Sequence, residues 1–357
     1  MDYVNIALFV AKNWIGVNMK HIFYTRNSNN LDCIPDKSIQ LIVTSPPYPM
    51  IEMWDDVFNL QKHEINNYIK DNPNIAFYKM HNILNQVWME CDRVLADNCF
   101  ICINIGDATK TIDNKFQVYP NHVEIINFFF NLGYSVLPNI IWHKPTNAPN
   151  KFMGSGMYPS GAYVTQEHEY ILIFRKGENR KFTAEEKERR QRSSYFWEER
   201  NVWFSDLWDI KGTSQTITNT KTRERNASYP FEIPYRLVNM YSIEGDTVLD
   251  PFGGLGTTSL ACIASQRNSI SVDIDEEITN KAIENVSSSC DYLNNIINNR
   301  IFKHIDFVNS LNDEKKCKYF NNIHNFDVKT RQEENIKINK IKSITVKDNQ
   351  INIFYER

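Results

Sequence analysis

No stretch of this 357-residue chain approaches the roughly 18 uninterrupted apolar residues that a membrane-spanning helix requires. The short apolar run near the start follows an acidic opening, Met1-Asp2-Tyr3, and lacks a cleavage-like end, so a signal peptide is not expected. Charge of one sign is missing too: 40 Lys and Arg stand against 43 Asp and Glu, a formal net charge of −3. Such a balance does not advertise a polyanionic ligand, although a basic groove can serve one without showing in the sum. No internal repeat is present, which sets aside solenoids and propellers. Seven cysteines, an odd number in a long chain, fit reduced thiols and a cytoplasmic location better than a disulfide framework. Cys99 and Cys102 form a Cys-x-x-Cys, but no second pair completes a four-ligand zinc site. On a strand, positions three apart face opposite ways, so both read as buried thiols and no metal is expected.

The rest is that of a globular protein, with 42% hydrophobic and 23% charged residues. The length suits one large α/β domain with a smaller lobe, or two modest domains. Residues 38–44 read as a short strand after the turn-like Pro35-Asp36-Lys37. Phe77, Met80, Leu84, Val87, Cys91 and Val94 recur at helical spacing, and Asp97-Asn98 then breaks the pattern before a strand over 100–105. A helix over 123–132 is stopped by Gly133, followed by strands near 135–142 and over 170–174. Residues 178–227 are richer in charge and carry Tyr195, Phe196, Trp197, Trp203, Phe204 and Trp208. A helix over 231–241 restores the alternation, and a terminal hairpin is expected through 341–355. Alternating strands and helices predict an α/β fold with a doubly wound sheet.

Two segments carry chemistry. Residues 42–48 read Ile-Val-Thr-Ser-Pro-Pro-Tyr, an apolar strand ending in a double proline and an aromatic. Residues 247–258 read Thr-Val-Leu-Asp-Pro-Phe-Gly-Gly-Leu-Gly-Thr-Thr, a strand running into a glycine loop that opens a helix. Gly253, Gly254 and Gly256 let backbone approach a ligand closely, and Asp273 ends a second strand at about the distance where dinucleotide-type folds place a ribose-binding acid.

Together, in this order, the two segments resemble the amino-methylating DNA methyltransferases, in the permuted class called beta, where the catalytic motif precedes the cofactor motif. Further blocks agree: Arg93-Val94-Leu95, then Asn104-Ile105-Gly106-Asp107, then Glu167-His168-Glu169-Tyr170 with the strand that follows. The resemblance spans about residues 31–285. It implies a Rossmann-like methyltransferase sheet with permuted motif order, S-adenosyl-L-methionine as cofactor and double-stranded DNA as substrate. It also implies that Asp250, Pro251, Phe252, Gly253, Gly254, Gly256 and Thr257 bind the cofactor, with the loop from Phe252 to Gly256 wrapping the methionine part, that Asp273 takes the ribose hydroxyls, and that Phe231 lies beside the cofactor. The family often has His where this chain has Tyr229. It needs no metal, so His168 between two glutamates reads as a positioned strand-end histidine.

The exocyclic amine of a base is a poor nucleophile because its lone pair is delocalised into the ring. In the candidate catalytic segment Ser45, Pro46, Pro47 and Tyr48, Ser45 and the Pro46 carbonyl offer acceptors that favour a pyramidal nitrogen, proline fixes the backbone so that its carbonyl aims reproducibly, and Tyr48 can stack on a base flipped out of the duplex. Ser in the first motif position is typical of the cytosine-N4 branch, whereas Asp or Asn is usual for adenine N6. Cytosine C5 chemistry uses a cysteine after proline, and no Pro-Cys pair occurs. The expected activity is therefore site-specific cytosine-N4 methylation. The alternatives are an adenine-N6 enzyme and an inactive DNA-binding relative. A cognate restriction endonuclease is an implied partner, and monomer and homodimer stay open.

Residues 175–225 hold thirteen Lys and Arg against nine Asp and Glu. Arg189, Arg190 and Arg192 on a charged helix, Arg190 foremost, and Lys221, Arg223 and Arg225 in a loop, are the candidate phosphate contacts. The expected organisation is a catalytic half over 18–177, a target-recognition insert over 178–227, a cofactor half over 228–294 and an accessory region over 295–357.

Overall fold

Residues 39–44, Ile-Gln-Leu-Ile-Val-Thr, are buried at five of six positions, the mark of a strand covered on both faces. The structure, a computed structural model, describes residues 18–62, 64–145, 153–154, 159–212, 229–312 and 317–356. In chain order it runs β1 (Asn18–Thr25), β2 (Ile39–Thr44), and helices α1 (Glu52–Gln61), α2 (Ile65–Asp71) and α3 (Pro73–Val94). Strand β3 (Leu95–Ile105), the hairpin β4 (Ala108–Ile112) and β5 (Lys115–Tyr119), and α4 (Asn121–Asn131) come next. Then follow β6 (Ser135–Val136), β7 (Ile140–His143), the pair β8 (Met153–Gly154) and β9 (Ala162–Tyr163), and β10 (His168–Arg175). Helices α5 (Ala184–Arg192) and α6 (Trp197–Trp203), β11 (Leu207–Asp209), α7 (Glu232–Tyr241) and β12 (Thr247–Asp250) precede α8 (Thr257–Ala264). The last elements are β13 (Asn268–Asp273), α9 (Glu276–Ser287), α10 (Cys290–Asn309), β14 (Tyr319–Asn321), β15 (Phe326–Val328), β16 (Ile341–Lys347) and β17 (Gln350–Tyr355).

The chain forms two compact units. One comprises Asn27–Arg180 and Trp203–Leu237. Its strands lie in the order β11-β7-β10-β3-β2, with β2 parallel to β3 and β10 antiparallel to β3. Thr44 lies opposite Ile103, and Ile171 opposite Asn104, so the end of β2, the end of β3 and the start of β10 converge. Helix α3 starts at Pro73, where a missing N–H costs nothing, and the Asn72 side chain caps it by accepting from Ile75 N at 3.3 Å. Its apolar face delivers Trp88 to Phe129 of α4 (centroids 6.0 Å), which stacks on Phe174 of β10 at 4.6 Å. The strand expected near 135–142 is two short ones, because Pro138 lies between them and has no N–H for the ladder; Leu137 N still donates to Ile173 O at 2.9 Å.

The other unit comprises residues 18–26 with Lys181–Val202 and the chain from Val238 onward. Its order is β12-β13-β1-β17-β16, with β12, β13 and β1 parallel and the terminal hairpin antiparallel. Strand β1 pairs with β13, Thr25 opposite Asp273. Helix α9 is capped by the Asp275 side chain, which accepts from Glu277 N (2.9 Å) and Ile278 N (3.2 Å). Parallel strands joined through helices give the α/β fold of Rossmann type. Among the described residues no helix is long and apolar enough to cross a membrane.

Candidate active site

Strand β2 stops at Thr44 because Pro46 and Pro47 cannot donate to a ladder. The turn that follows is held from below by Asn121, a fully buried residue at the start of α4. Its amide donates to the carbonyls of Pro49 (3.1 Å) and Gly106 (2.9 Å), and its Oδ1 lies 2.9 Å from His81 Nε2. Among the described residues no group donates to the Pro46 carbonyl.

Tyr48 is half-buried and its hydroxyl is the centre of a polar cluster. Tyr48 Oη donates to Glu169 Oε2 at 2.8 Å, accepts from Asn104 Nδ2 at 2.7 Å and lies 3.1 Å from Ser45 Oγ. Asn104 Nδ2 also donates to Glu169 Oε2 at 2.7 Å, and its own Oδ1 is buried with no hydrogen-bond partner among the described residues. Lys144 pairs with the other oxygen of Glu169, and its ammonium lies 4.4 Å from the Trp142 ring centre. Burial, then the Glu169 charge, push the Tyr48 phenol well above its ordinary value. Gly106 makes the space: a β-carbon there would lie 3.0 Å from Tyr48 Cε2 and 3.3 Å from Glu169 Cγ. Next to it, Asp107 Oδ1 holds His122 Nδ1 at 2.8 Å, and the His122 ring stacks on Tyr170 at 4.0 Å.

In the other unit, Asp250 at the end of β12 spends both oxygens on its own loop. Oδ1 accepts from Phe252 N at 3.1 Å and Oδ2 from Thr258 Oγ1 at 2.6 Å. Pro251 and Thr257 are buried, while Phe252 and Gly254 are half-buried. Gly253 N donates to Val272 O at 2.8 Å, and Gly254 N to Asp273 Oδ2 at 3.0 Å. Asp273 Oδ1 accepts from Asp275 N at 3.0 Å. Gly256 is the N-cap of α8 at φ 82°, a left-handed conformation, and among the described residues no side chain caps that helix. A close-packed backbone loop, an uncapped helix start and a half-buried strand-end carboxylate suit a ligand bearing both a carboxylate and a ribose.

Phe231 stacks on Tyr235 at 5.3 Å just before α7. Arg190 is exposed on α5 with its guanidinium 4.7 Å from the Phe182 ring centre. Its neighbours are tied down: Arg192 Nε donates to Glu244 Oε2 at 2.7 Å and Arg189 to the Glu244 carbonyl at 3.3 Å. Lys221, Arg223 and Arg225 lie outside the described residues. Cys99 and Cys102 are both buried and outside any disulfide, and His168 opens β10 with its ring edge-on to Tyr170. Glu198, His304 and Glu333 bring ligand-type atoms within 4.8 Å of one another. They serve as hydrogen-bond partners there: His304 Nδ1 lies 2.7 Å from Glu198 Oε1, and Glu333 Oε1 accepts from Trp197 N at 2.8 Å.

Sequence reasoning gave no role to Asn104, Lys144, Glu169 or Asn121. Asn104 and Glu169 lie inside blocks that the resemblance marks, and a polar side chain within the apolar run Cys-Ile-Asn-Ile was the available signal, since buried amides have partners. Lys144 and Asn121 carry no such mark.

A family model described as DNA methylase matches residues 39–284. The Type II methyltransferase M.MthZI of Methanothermobacter thermautotrophicus is 48% identical over 341 residues, covering 94% of this chain and 95% of that protein. The Type II methyltransferase M.MjaI of Methanocaldococcus jannaschii is 47% identical over 276 residues, 74% of this chain and 90% of the relative. Among solved structures, a candidate DNA modification methylase from Thermus thermophilus, complexed with S-adenosyl-L-methionine, superposes with a TM-score of 0.57 at 29% identity. That match covers 75% of this chain and 95% of the other.

Proposed function

The chain belongs to the DNA methylase family, and within it we propose that it methylates N4 of cytosine in a specific duplex sequence, as the modification arm of a type II restriction-modification system. The observation that carries this reading is the cluster at the end of β2, where Ser45, Asn104 and Glu169 surround the Tyr48 hydroxyl. Serine in the first motif position favours cytosine N4 over adenine N6.

S-adenosyl-L-methionine, when bound, supplies a methyl group on a sulfonium sulfur, and the bond electrons stay with sulfur. The Phe252–Gly256 loop would hold its methionine part and Asp273, at the end of β13, its ribose hydroxyls. The protein's remaining work is to present the amine. Ser45 Oγ and the Pro46 carbonyl accept from its N–H groups, which localises the nitrogen lone pair, and the Tyr48 ring supports the extrahelical base. Tyr48 is pinned by its hydroxyl, so the ring offers a fixed face.

Duplex DNA is contacted by Arg190, the exposed member of the α5 cluster, and by Lys221, Arg223 and Arg225. The region beyond residue 295 buttresses α6, through His304 on Glu198, Arg300 Nε on Glu199 Oε1 at 2.7 Å, and Glu333 on Trp197 N.

Nucleoside mass spectrometry on DNA from cells expressing the protein, beside a Ser45→Ala control, tests the reading. N4-methylcytosine that disappears in the control is the expected result. N6-methyladenine would overturn the base assignment, and no methylated base would overturn the activity in favour of a DNA-binding remnant.

A further inference from the structure

The hydrogen bonds around Tyr48 have a direction. A phenol has one proton, and Tyr48 Oη donates it to Glu169 Oε2 at 2.8 Å. A carboxylate only accepts, so that proton is not available to Ser45. The Asn104 amide nitrogen, 2.7 Å from Tyr48 Oη and 2.7 Å from Glu169 Oε2, is itself a donor and cannot take the proton either. The 3.1 Å contact between Ser45 Oγ and Tyr48 Oη is therefore made by the serine proton. With its one proton committed, Ser45 meets any further partner as an acceptor. Burial first, then Glu169, push the phenol well above its ordinary value, so Tyr48 remains a donor throughout the neutral range. Lys144 on the far oxygen keeps the Glu169 carboxylate in place.

We propose that Glu169 is a positioning residue that fixes the direction of the Ser45–Tyr48–Glu169 chain, so that Ser45 presents only lone pairs to the exocyclic amino group of the target base. The inference rests on the reading of this chain as an amino-directed methyltransferase. It adds a specificity that the Ser-Pro-Pro-Tyr segment does not supply alone. A serine free to rotate accepts from an amine or donates to a carbonyl, whereas a serine whose proton is committed accommodates the amine of cytosine and is mismatched to the carbonyl at the same place in thymine.

The test is a kinetic cycle on a duplex that the wild-type protein methylates, with Glu169→Gln, Tyr48→Phe and the double variant. Glutamine offers a donor as well as an acceptor, so it releases the direction while keeping the volume. Phenylalanine keeps the ring and removes the oxygen. The expected result is that Glu169→Gln lowers kcat by about tenfold to a hundredfold, the scale of one hydrogen bond to a charged group. Its KM for DNA and its cofactor dissociation constant should stay within about twofold, and it should cost almost nothing more in the Tyr48→Phe background. A general loosening of the site would instead make the two losses multiply, and that outcome overturns the proposal, as does a Glu169→Gln enzyme as fast as wild type. Should Glu169→Gln not be recovered folded, Tyr48→Phe reads the same chain alone: a role for the ring by itself predicts wild-type kcat, and finding it overturns the proposal. Wild-type protein that methylates no duplex defeats the functional reading, and this inference with it, whereas an active wild type with an indifferent Glu169→Gln defeats the inference only.

Discussion

A β-carbon on Gly253 would lie 1.8 Å from Ser271 Oγ, so the loop after β12 and the strand β13 are in direct contact through a residue with no side chain. Gly253→Ala must push the loop away from β13, at a cost on the order of 1–3 kcal/mol for an overpacked site. Cofactor affinity, read by calorimetry, should fall at least about tenfold. Adding Ser271→Ala should restore only part of it, because the Ser271 Cβ itself would lie 3.1 Å away. Unchanged affinity in Gly253→Ala would separate this loop from the cofactor.

Asp273 has two jobs in the proposed reading, holding Gly254 N at 3.0 Å and meeting ribose hydroxyls. Asp273→Ala should weaken cofactor binding by about tenfold to a hundredfold, because it removes charge-assisted acceptors. Asp273→Asn keeps one acceptor and should fall between. Equal dissociation constants for wild type and Asp273→Ala would take the residue out of the site.

Arg190 and Arg192 sit two residues apart and should fail differently. Arg190→Ala should weaken duplex binding and lower the slope of log K against log salt by about 0.9, the value of one phosphate contact. Arg192→Ala strands Glu244, 12% exposed in its side chain, and should lower the unfolding temperature instead. Replacing Lys221, Arg223 and Arg225 together should lower the salt slope further. Superimposable binding curves for these variants would move DNA contact elsewhere.

Burial holds the His21 imidazole down to about 3 and that of His81 down to about 4, both from 6.5. The folded protein keeps both rings neutral, while the unfolded chain takes up protons as the pH falls through about 6.5. The stability due to the neutral rings is complete above pH 7 and is lost progressively below 6.5. At pH 5 the loss is about 2 kcal/mol for each ring. Urea unfolding at pH 7.5 and pH 5 measures it, and His21→Gln should remove about half of the difference. A pH dependence that His21→Gln leaves intact would assign the effect to other groups.

Much of the fold was legible because its signals are local. Helical spacing from Phe77 to Val94 became α3, and the apolar run before Ser45 became β2. Strand β1 was not foreseen: Asn18–Thr25 mixes polar and apolar residues, and its parallel partner β13 is some 250 residues away, beyond any periodicity. The β4–β5 hairpin turns at Asp113-Asn114, with φ of 50° and 60°, a left-handed pair of a residue type that tolerates such turns but stands here between two short strands without strong alternation. The site divides in the same way. Ser45 and Tyr48 are three residues apart and announce themselves, whereas Glu169 reaches Tyr48 over 121 positions. Only the register of β2, β3 and β10 brings those side chains together.

The pairing of β1 with β17 sets the order in which this protein can be made. Ile22 sits opposite Gln350, so the first described strand finds that neighbour only when the last one has left the ribosome. The unit carrying Tyr48 has all its described strands in hand once Asp209 has been synthesised. The unit carrying the glycine loop must wait with the β1 edge unpaired, and an exposed edge is a template for wrong partners. Loss of the final hairpin would therefore act first on yield during synthesis, before any effect on the finished enzyme.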